Sequence, residues 1–194
     1  MMIEKSRITK VDYCLKGEPF IADIKDLQEN GVHKDKSLPL NFNYNRHWIV
    51  SHSCNKCGSK IDIQEFPIRN FEPINKLYTK YYSKEILEAI SKLFPTTKVF
   101  KSGNSDHLFL TNLDFEGNIV SDLFIPQKMF AYYSCSECQT EYLCLYRQGH
   151  PIEPDRGTPE GRLGIMYIDE IVEFETQSDG NFLDLLRSHK KDLV

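Results

Sequence analysis

Two Cys-x-x-Cys pairs constrain the fold of this 194-residue chain more than any other feature. The first pair is Cys54 and Cys57, and the second is Cys135 and Cys138. Two intervening residues let both thiolates of a pair point at one metal ion, and two such turns complete a tetrahedral shell of four sulfurs. The sequence therefore predicts that these four cysteines bind one structural Zn²⁺ that staples the fold.

Strand-like segments flank both pairs, which places each pair at the turn of a β-hairpin. The flanking segments are residues 46–52 and 60–64 around the first pair, and residues 129–133 and 140–147 around the second. Gly58 follows the first pair and suits a tight turn, because glycine readily takes a positive φ. Gln139 stands at the matching place in the second pair, so the sequence leaves the detailed shape of that turn open.

This pattern resembles the zinc-ribbon family, which is defined by two zinc knuckles on paired hairpins. A knuckle here is a Cys-x-x-Cys turn whose two sulfurs bind the metal. The resemblance covers roughly residues 46–64 and 129–147. Cys57 and Cys135 are separated by 77 residues, against roughly 15 to 20 in the compact pattern. We therefore expect residues 58–134 to form an α+β insertion between the knuckles. Ribbons occur in transcription factors, enzymes and adaptors, so the resemblance implies a metal rather than an activity.

Other uses of the paired cysteines stay open at this level. Disulfides are disfavoured in a cytosolic protein, where thiols stay reduced. Thioredoxin-like chemistry needs the pair at a helix N-terminus, and neither pair precedes a helical pattern. A catalytic zinc keeps an open position, which four thiolates do not leave; His52 is the candidate replacement ligand. We interpret Cys14 and Cys144 as small core residues.

The rest of the chain predicts an α+β fold that is mostly antiparallel β around a zinc-ribbon-like core. A helix is expected between Ser83 and Pro95, because five apolar residues share one face there: Ile86, Leu87, Ile90, Leu93 and Phe94. A start near Asn75 would instead align Lys76, Lys80 and Lys84 beside Tyr78, Tyr81 and Tyr82, a basic and aromatic combination that suits a nucleic-acid backbone.

Two further elements complete the predicted fold. A hairpin is expected from residues 108–113 and 119–125, with Gly117 in its turn. A C-terminal helix is expected from the apolar stripe of Phe182, Leu185 and Leu186. We expect residues 1–194 to form a single zinc-stapled domain.

Composition narrows the class of protein. With 40% hydrophobic and 12% aromatic residues, the chain is too apolar to be disordered. Its longest apolar runs have five residues, where a bilayer span needs about 18 to 20, and residues 1–10 lack the apolar region of a secretory signal. We therefore expect a cytoplasmic protein with no membrane association. The scarcity of alanine favours a bacterial or phage source.

Charge is unevenly distributed along the chain. Residues 135–194 carry six basic and twelve acidic residues, although the whole chain has a net charge of only −4. An acidic surface selects partners by sign and accelerates their association. Residues 149–164 form a long loop pattern rich in proline and glycine, which is typical of binding loops. The candidate partner-binding residues are His150, Asp155, Arg156, Arg162, Asp169, Glu170, Glu173 and Glu175.

Three functions are compatible with these sequence features. The first is a non-enzymatic protein-binding module of the immunity, antitoxin or adaptor type, with a protein partner whose surface is basic. The second is a regulatory nucleic-acid-binding zinc ribbon, which is disfavoured because the knuckle tips offer only Lys56 and Glu137. The third is an enzyme that uses the loop. Its candidate acid, base and anion-binding residues are His150, Glu153, Asp155, Arg156, Glu160 and Arg162. This third function has the least support.

Overall fold

The computed structural model describes residues 2–15, 18–25, 49–63, 72–74, 77–101, 106–112, 128–149, 165–177 and 179–188. The strands in this part of the chain are β1 (Met2–Ile8), β2 (Lys10–Leu15), β3 (Glu18–Asp23), β4 (Ile49–Ser53), β5 (Lys60–Ile63), β6 (Glu72–Ile74), β7 (Thr97–Lys101), β8 (Leu108–Asn112), β9 (Lys128–Ser134), β10 (Glu141–Gly149) and β11 (Ile165–Thr176). The helices are α1 (Lys84–Leu93) and α2 (Phe182–Ser188). The predicted α+β class, mostly antiparallel β, is confirmed.

The strands form three antiparallel sheets. A five-stranded sheet has the order β1-β11-β10-β9-β6, a four-stranded sheet has the order β3-β2-β4-β5, and β7 pairs with β8. The hairpin predicted around the first cysteine pair is β4–β5, and the one around the second pair is β9–β10. The two knuckles therefore belong to different sheets.

The central strands of the five-stranded sheet are buried on both faces, which explains their uninterrupted apolar runs. Along β10, Tyr142, Cys144 and Tyr146 face the four-stranded sheet and share a core with Val50, Ile61 and Ile63. Leu143 and Leu145 point the other way, into a second core with α1 and α2. Successive side chains alternate between faces in a strand, so a central layer needs apolar residues at every position.

A β-bulge interrupts the pairing of β10 with β11. Leu145 pairs with Glu170 and Tyr146 pairs with Ile168, so Asp169 is the extra residue on β11. A bulge places its extra residue out of the regular alternation. Asp169 is buried, with only 2% of its surface exposed.

Helix α1 follows the sequence prediction at both ends. The Ser83 side chain accepts a hydrogen bond from the Ile86 N–H, and the helix ends at Leu93 before Pro95. Its buried face is Ile86, Leu87, Ala89, Ile90 and Leu93. The alternative start near Asn75 is wrong, because the segment before Ser83 pairs with β8 instead of continuing the helix. Leu110 N–H donates to Leu77 O (2.9 Å), and Thr79 N–H donates to Leu108 O (2.9 Å).

The segment between the knuckles contributes to cores that other parts of the chain complete. Strand β6 pairs with β9 in the five-stranded sheet, and α1 packs into the same core as α2. Strand β8 confirms a strand at the first half of the predicted hairpin, but its described partners are β7 and the segment around Tyr78. Residues 113–127, which contain the predicted turn and second strand, lie outside the described residues.

Helix α2 confirms the predicted C-terminal helix. Phe182 and Leu186 are its buried residues. Asn181 and Asp184 cap its start reciprocally: each side chain accepts a hydrogen bond from the other residue's N–H, at 3.1 and 3.2 Å. Neither α1 nor α2 has the length and apolar character that a bilayer crossing requires.

Candidate metal centre

The sulfurs of the four paired cysteines converge where the two sheets meet. All four Sγ atoms lie within 4.8 Å of one another. Two contacts cross between the knuckles: Cys54 Sγ lies 3.5 Å from Cys138 Sγ, and Cys57 Sγ lies 3.6 Å from Cys135 Sγ. Bonds of about 2.3 Å from zinc to four thiolates imply a sulfur–sulfur edge of roughly 3.8 Å in a tetrahedron. The four cysteines therefore fit a tetrahedral metal ion.

The same distances exclude disulfides at this place. A disulfide needs sulfurs about 2.05 Å apart, and the five cysteines whose side chains the structure describes are all free. Cys144, the described cysteine outside the cluster, is fully buried in the core between the sheets, as the sequence predicted.

The two knuckles have the same backbone. In the first, Gly58 N–H donates to Cys54 O (2.8 Å) and Cys54 N–H donates to Ser59 O (2.8 Å). In the second, Gln139 and Cys135 repeat these bonds to Cys135 O and Thr140 O, each at 2.9 Å. The turn shape that the sequence left open is thus the same in both pairs.

Gln139 takes the left-handed conformation that Gly58 takes, with φ of 58° against 74°. A non-glycine residue pays a steric cost there. The Gln139 side chain offsets part of this cost, since its Nε2 donates to Ser136 O across the turn (3.1 Å).

Hydrogen-bond donors surround the sulfurs. The backbone N–H groups of Lys56 and Cys57 point at Cys54, and those of Glu137 and Cys138 point at Cys135. Hydroxyls lie beside three sulfurs: Tyr142 at 3.3 Å from Cys54, Ser59 at 3.3 Å from Cys57 and Thr140 at 3.0 Å from Cys138. Such donors stabilise thiolates, which are the form that binds metal.

The two buried cysteines differ in acidity. Burial alone would raise the pKa of Cys54, but the Tyr142 hydroxyl and the backbone N–H groups of Cys57 and Lys56 lower it to about 6. Burial raises the pKa of Cys135 to about 11, against the opposing effect of backbone N–H groups. The environments differ in two ways: the Tyr142 hydroxyl acts on Cys54, whereas the neighbouring thiols of Cys57 and Cys138 raise the pKa of Cys135.

A polar network fastens the first knuckle to the five-stranded sheet. Asn55 N–H donates to the Tyr142 hydroxyl (3.3 Å), which itself donates to Cys54 Sγ. The Asn55 side-chain amide donates to Ser6 Oγ (2.7 Å) and to Glu173 Oε2 (2.9 Å). These bonds run from β4–β5 to β1, β10 and β11, so they cross the boundary between the sheets at the metal site.

His52 is buried beside the cluster but its ring nitrogens are engaged elsewhere. Its Nδ1 lies 3.0 Å from Ser53 O, and its Nε2 lies 2.9 Å from the Tyr133 hydroxyl. A carbonyl can only accept, so Nδ1 carries the proton and Nε2 accepts from Tyr133. Burial lowers the pKa of His52, which keeps the ring neutral. His52 is therefore a neighbour of the site, not a ligand.

The acidic residues proposed for partner binding have different environments. Asp169 is buried at the bulge, which removes its side chain from any docking surface. Glu170 pairs with Arg7 and accepts from Thr96 Oγ1 (2.8 Å), and Glu173 accepts from Ser6 Oγ (2.8 Å) as well as from Asn55. Glu175 is exposed and pairs with Lys5. Of these four side chains, Glu175 remains a surface charge.

The loop candidates His150, Asp155, Arg156 and Arg162 lie outside the described residues, as do Glu153 and Glu160. Their role stays a prediction.

Sequence reasoning missed the residues around the sulfurs. Ser-Cys-x-x-Cys-x-(Ser/Thr) is common to both knuckles, from Ser53 to Ser59 and from Ser134 to Thr140. This short repeat signals the matching hydroxyls. Tyr142 and Asn55 had no such signal, because their contacts cross between sheets.

Comparison with protein-family models, with curated proteins and with solved structures finds no match to this chain. The assignment of the metal site therefore rests on the four sulfurs and their surroundings.

Proposed function

We propose that this chain is a non-catalytic zinc protein in which four thiolates hold one structural Zn²⁺ between two sheets. The observation that carries the proposal is the convergence of Cys54, Cys57, Cys135 and Cys138 within 4.8 Å. A tetrahedral set of four sulfurs suits zinc or iron, and zinc adds no redox chemistry. The resemblance to zinc ribbons is limited to the two hairpins that carry the knuckles.

The closed ligand set supports a structural role. Catalytic zinc sites keep a position for water or substrate, and four thiolates fill all four positions. N–H and hydroxyl donors around the sulfurs reduce the charge that would make a thiolate reactive. The polar network from Asn55 and Tyr142 further fixes the geometry, as outer partners of metal ligands do.

A scaffold of this kind acts through its surface, and we propose that it is a binding module. The predicted protein partner is one that an immunity protein or an adaptor would bind. It would contact the acidic end of the chain near Glu175. Affinity purification from the native host tests this. Glu175→Lys should weaken capture of a basic partner, whereas capture that ignores this reversal would count against an acidic docking surface.

Metal analysis of the purified full chain tests the zinc site directly. We expect about one zinc per chain in the parent protein, and loss of zinc from Cys54→Ser and from Cys138→Ser, which remove one ligand from each knuckle. Cys144→Ala is the matched control, since it changes a buried cysteine outside the cluster. A parent protein without zinc, or one carrying iron, would overturn the assignment.

A further inference from the structure

A row of aromatic side chains crosses the two-stranded sheet of β7 and β8, which precedes the second knuckle in the chain. We call it the small sheet. Tyr78 forms an antiparallel bridge with Phe109, and Phe109 pairs with Phe100 on β7. Directly opposite residues of antiparallel strands share a face. The rings of Tyr78 and Phe109 stack at 5.1 Å, and those of Phe109 and Phe100 lie 6.1 Å apart. We call Tyr78, Phe109 and Phe100 the aromatic row.

The aromatic row lies on the face of the small sheet that points away from the protein core. Thr97 is buried, and Leu110 packs against the core that contains α1. Side chains alternate along each strand, so Phe100 and Phe109 occupy the opposite face. All three residues of the row are half-buried, so none of them is sealed in the core.

Lysines flank both ends of the row. Lys98 is exposed and lies two residues before Phe100, on the same face of β7. At the other end, Lys80 is exposed and its Nζ lies 5.8 Å from the ring of Tyr81, which packs edge-on against Tyr78. The remaining exposed lysines of this region are Lys84, Lys92 and Lys101, and the acidic residues described there are Glu85, Glu88 and Asp106.

We propose that the aromatic row, with Lys80 and Lys98, binds single-stranded nucleic acid. Accessible rings stack on unpaired bases, and lysines at the edge contact the phosphates; this combination typifies surfaces that bind single strands. A duplex keeps its bases stacked inside, so it would use the lysines without the rings. An acidic peptide would likewise match the charge but leave the aromatic row unexplained. The surface is separate from the proposed zinc site, whose knuckles belong to the other two sheets.

Fluorescence anisotropy with labelled single-stranded DNA and RNA oligonucleotides tests this on the zinc-loaded full chain. Binding should weaken as salt rises, because phosphate contacts release counterions. Lys98→Ala should lower affinity and reduce the slope of log K against log salt by roughly 0.7. Phe100→Leu, which keeps an apolar side chain, should lower affinity roughly five-fold or more through lost stacking. Lys60→Ala on β5 is the control and should change neither quantity.

Three results would overturn the proposal. The first is no salt-dependent binding of either oligonucleotide. The second is equal affinity for a duplex or for a poly-glutamate peptide, which would show that charge alone is recognised. The third is normal binding by the Phe100→Leu and Lys98→Ala variants. Circular dichroism and zinc content should match the parent for each variant; if Phe100→Leu disturbs the fold, the exposed Lys98→Glu variant decides, with a loss larger than that of Lys98→Ala.

Discussion

The two knuckles have the same backbone hydrogen bonds but differ in what surrounds them. The second, at the turn between β9 and β10, belongs to a sheet that is covered on both faces. The first belongs to the four-stranded sheet and is tied to its neighbour by Asn55 and by the Tyr142 hydroxyl. Among the described residues, the second knuckle's hairpin contributes to two packed cores and the first knuckle's hairpin to one. We therefore expect the first hairpin to depend more on the metal site for its position than the second.

Removal of zinc should produce the largest difference between the two knuckles. Structural zinc contributes on the order of 10 kcal/mol in zinc-finger peptides at pH 7, so a chelator should lower the free energy of unfolding by several kcal/mol. Hydrogen exchange should then show lost protection in β4 and β5, while Leu143 and Leu145 in β10 keep theirs. Equal loss in both sheets would contradict the inequality between the knuckles.

Loss of the Tyr142 hydroxyl should have the next largest effect. Tyr142→Phe removes the donor to Cys54 and the acceptor for Asn55 N–H, and loss of an outer partner typically costs 10- to 100-fold in metal affinity. Competition with a chromophoric chelator measures the change. Tyr132→Phe is the matched control, because its hydroxyl donates to Glu141 (3.0 Å) and not to a sulfur. A similar loss in both variants would indicate general destabilisation instead.

Exchange of the turn residues should sharpen the backbone comparison. Gly58→Ala introduces a side chain at φ 74°, where no atom lies within 4 Å of the added Cβ. The cost is therefore purely conformational, about 1 kcal/mol. Gln139→Gly relieves the same strain but loses the bond to Ser136 and gains unfolded-state entropy, so its effect should be near zero. Denaturant unfolding of the zinc-loaded protein measures both. If Gln139→Gly also lowered the free energy of unfolding by about 1 kcal/mol, Gln139 would not carry the conformational strain that an equivalent turn implies.

The smallest expected effect concerns Glu175. A hydrogen bond from Lys5 and its charge hold the pKa of Glu175 below the ordinary value, with a lesser effect of Lys56 on the first knuckle. Because the folded pKa is depressed, the associated stability is present above the unfolded pKa and disappears as pH falls through the folded pKa. NMR titration should show the pKa rising in Lys5→Ala, and rising less in Lys56→Ala. No change in Lys5→Ala would exclude the ion pair in solution.

The sequence was most informative where chemistry and local pattern coincide. Helix α1 was predictable because Ser83, Pro95 and the apolar stripe each mark it independently. The pairing of residues 77–79 with β8 was not, because a tyrosine and lysine pattern also suits a helix. Asp169 illustrates the same limit: it is the extra residue of a bulge relative to β10, and pairing register is invisible in one strand's sequence.

By itself, the sequence determined the four candidate ligands and the hairpins that carry them, since Cys-x-x-Cys spacing and strand alternation are local properties. Only the tertiary structure decided that the knuckles lie in different sheets, that Gln139 mimics Gly58, and that Tyr142 donates to Cys54. The sheet arrangement and the Tyr142 hydrogen bond depend on contacts between residues that are distant in the chain, which no local pattern encodes. The Gln139 conformation depends on short-range bonds to Cys135 and Ser136, which appear only once the turn is folded.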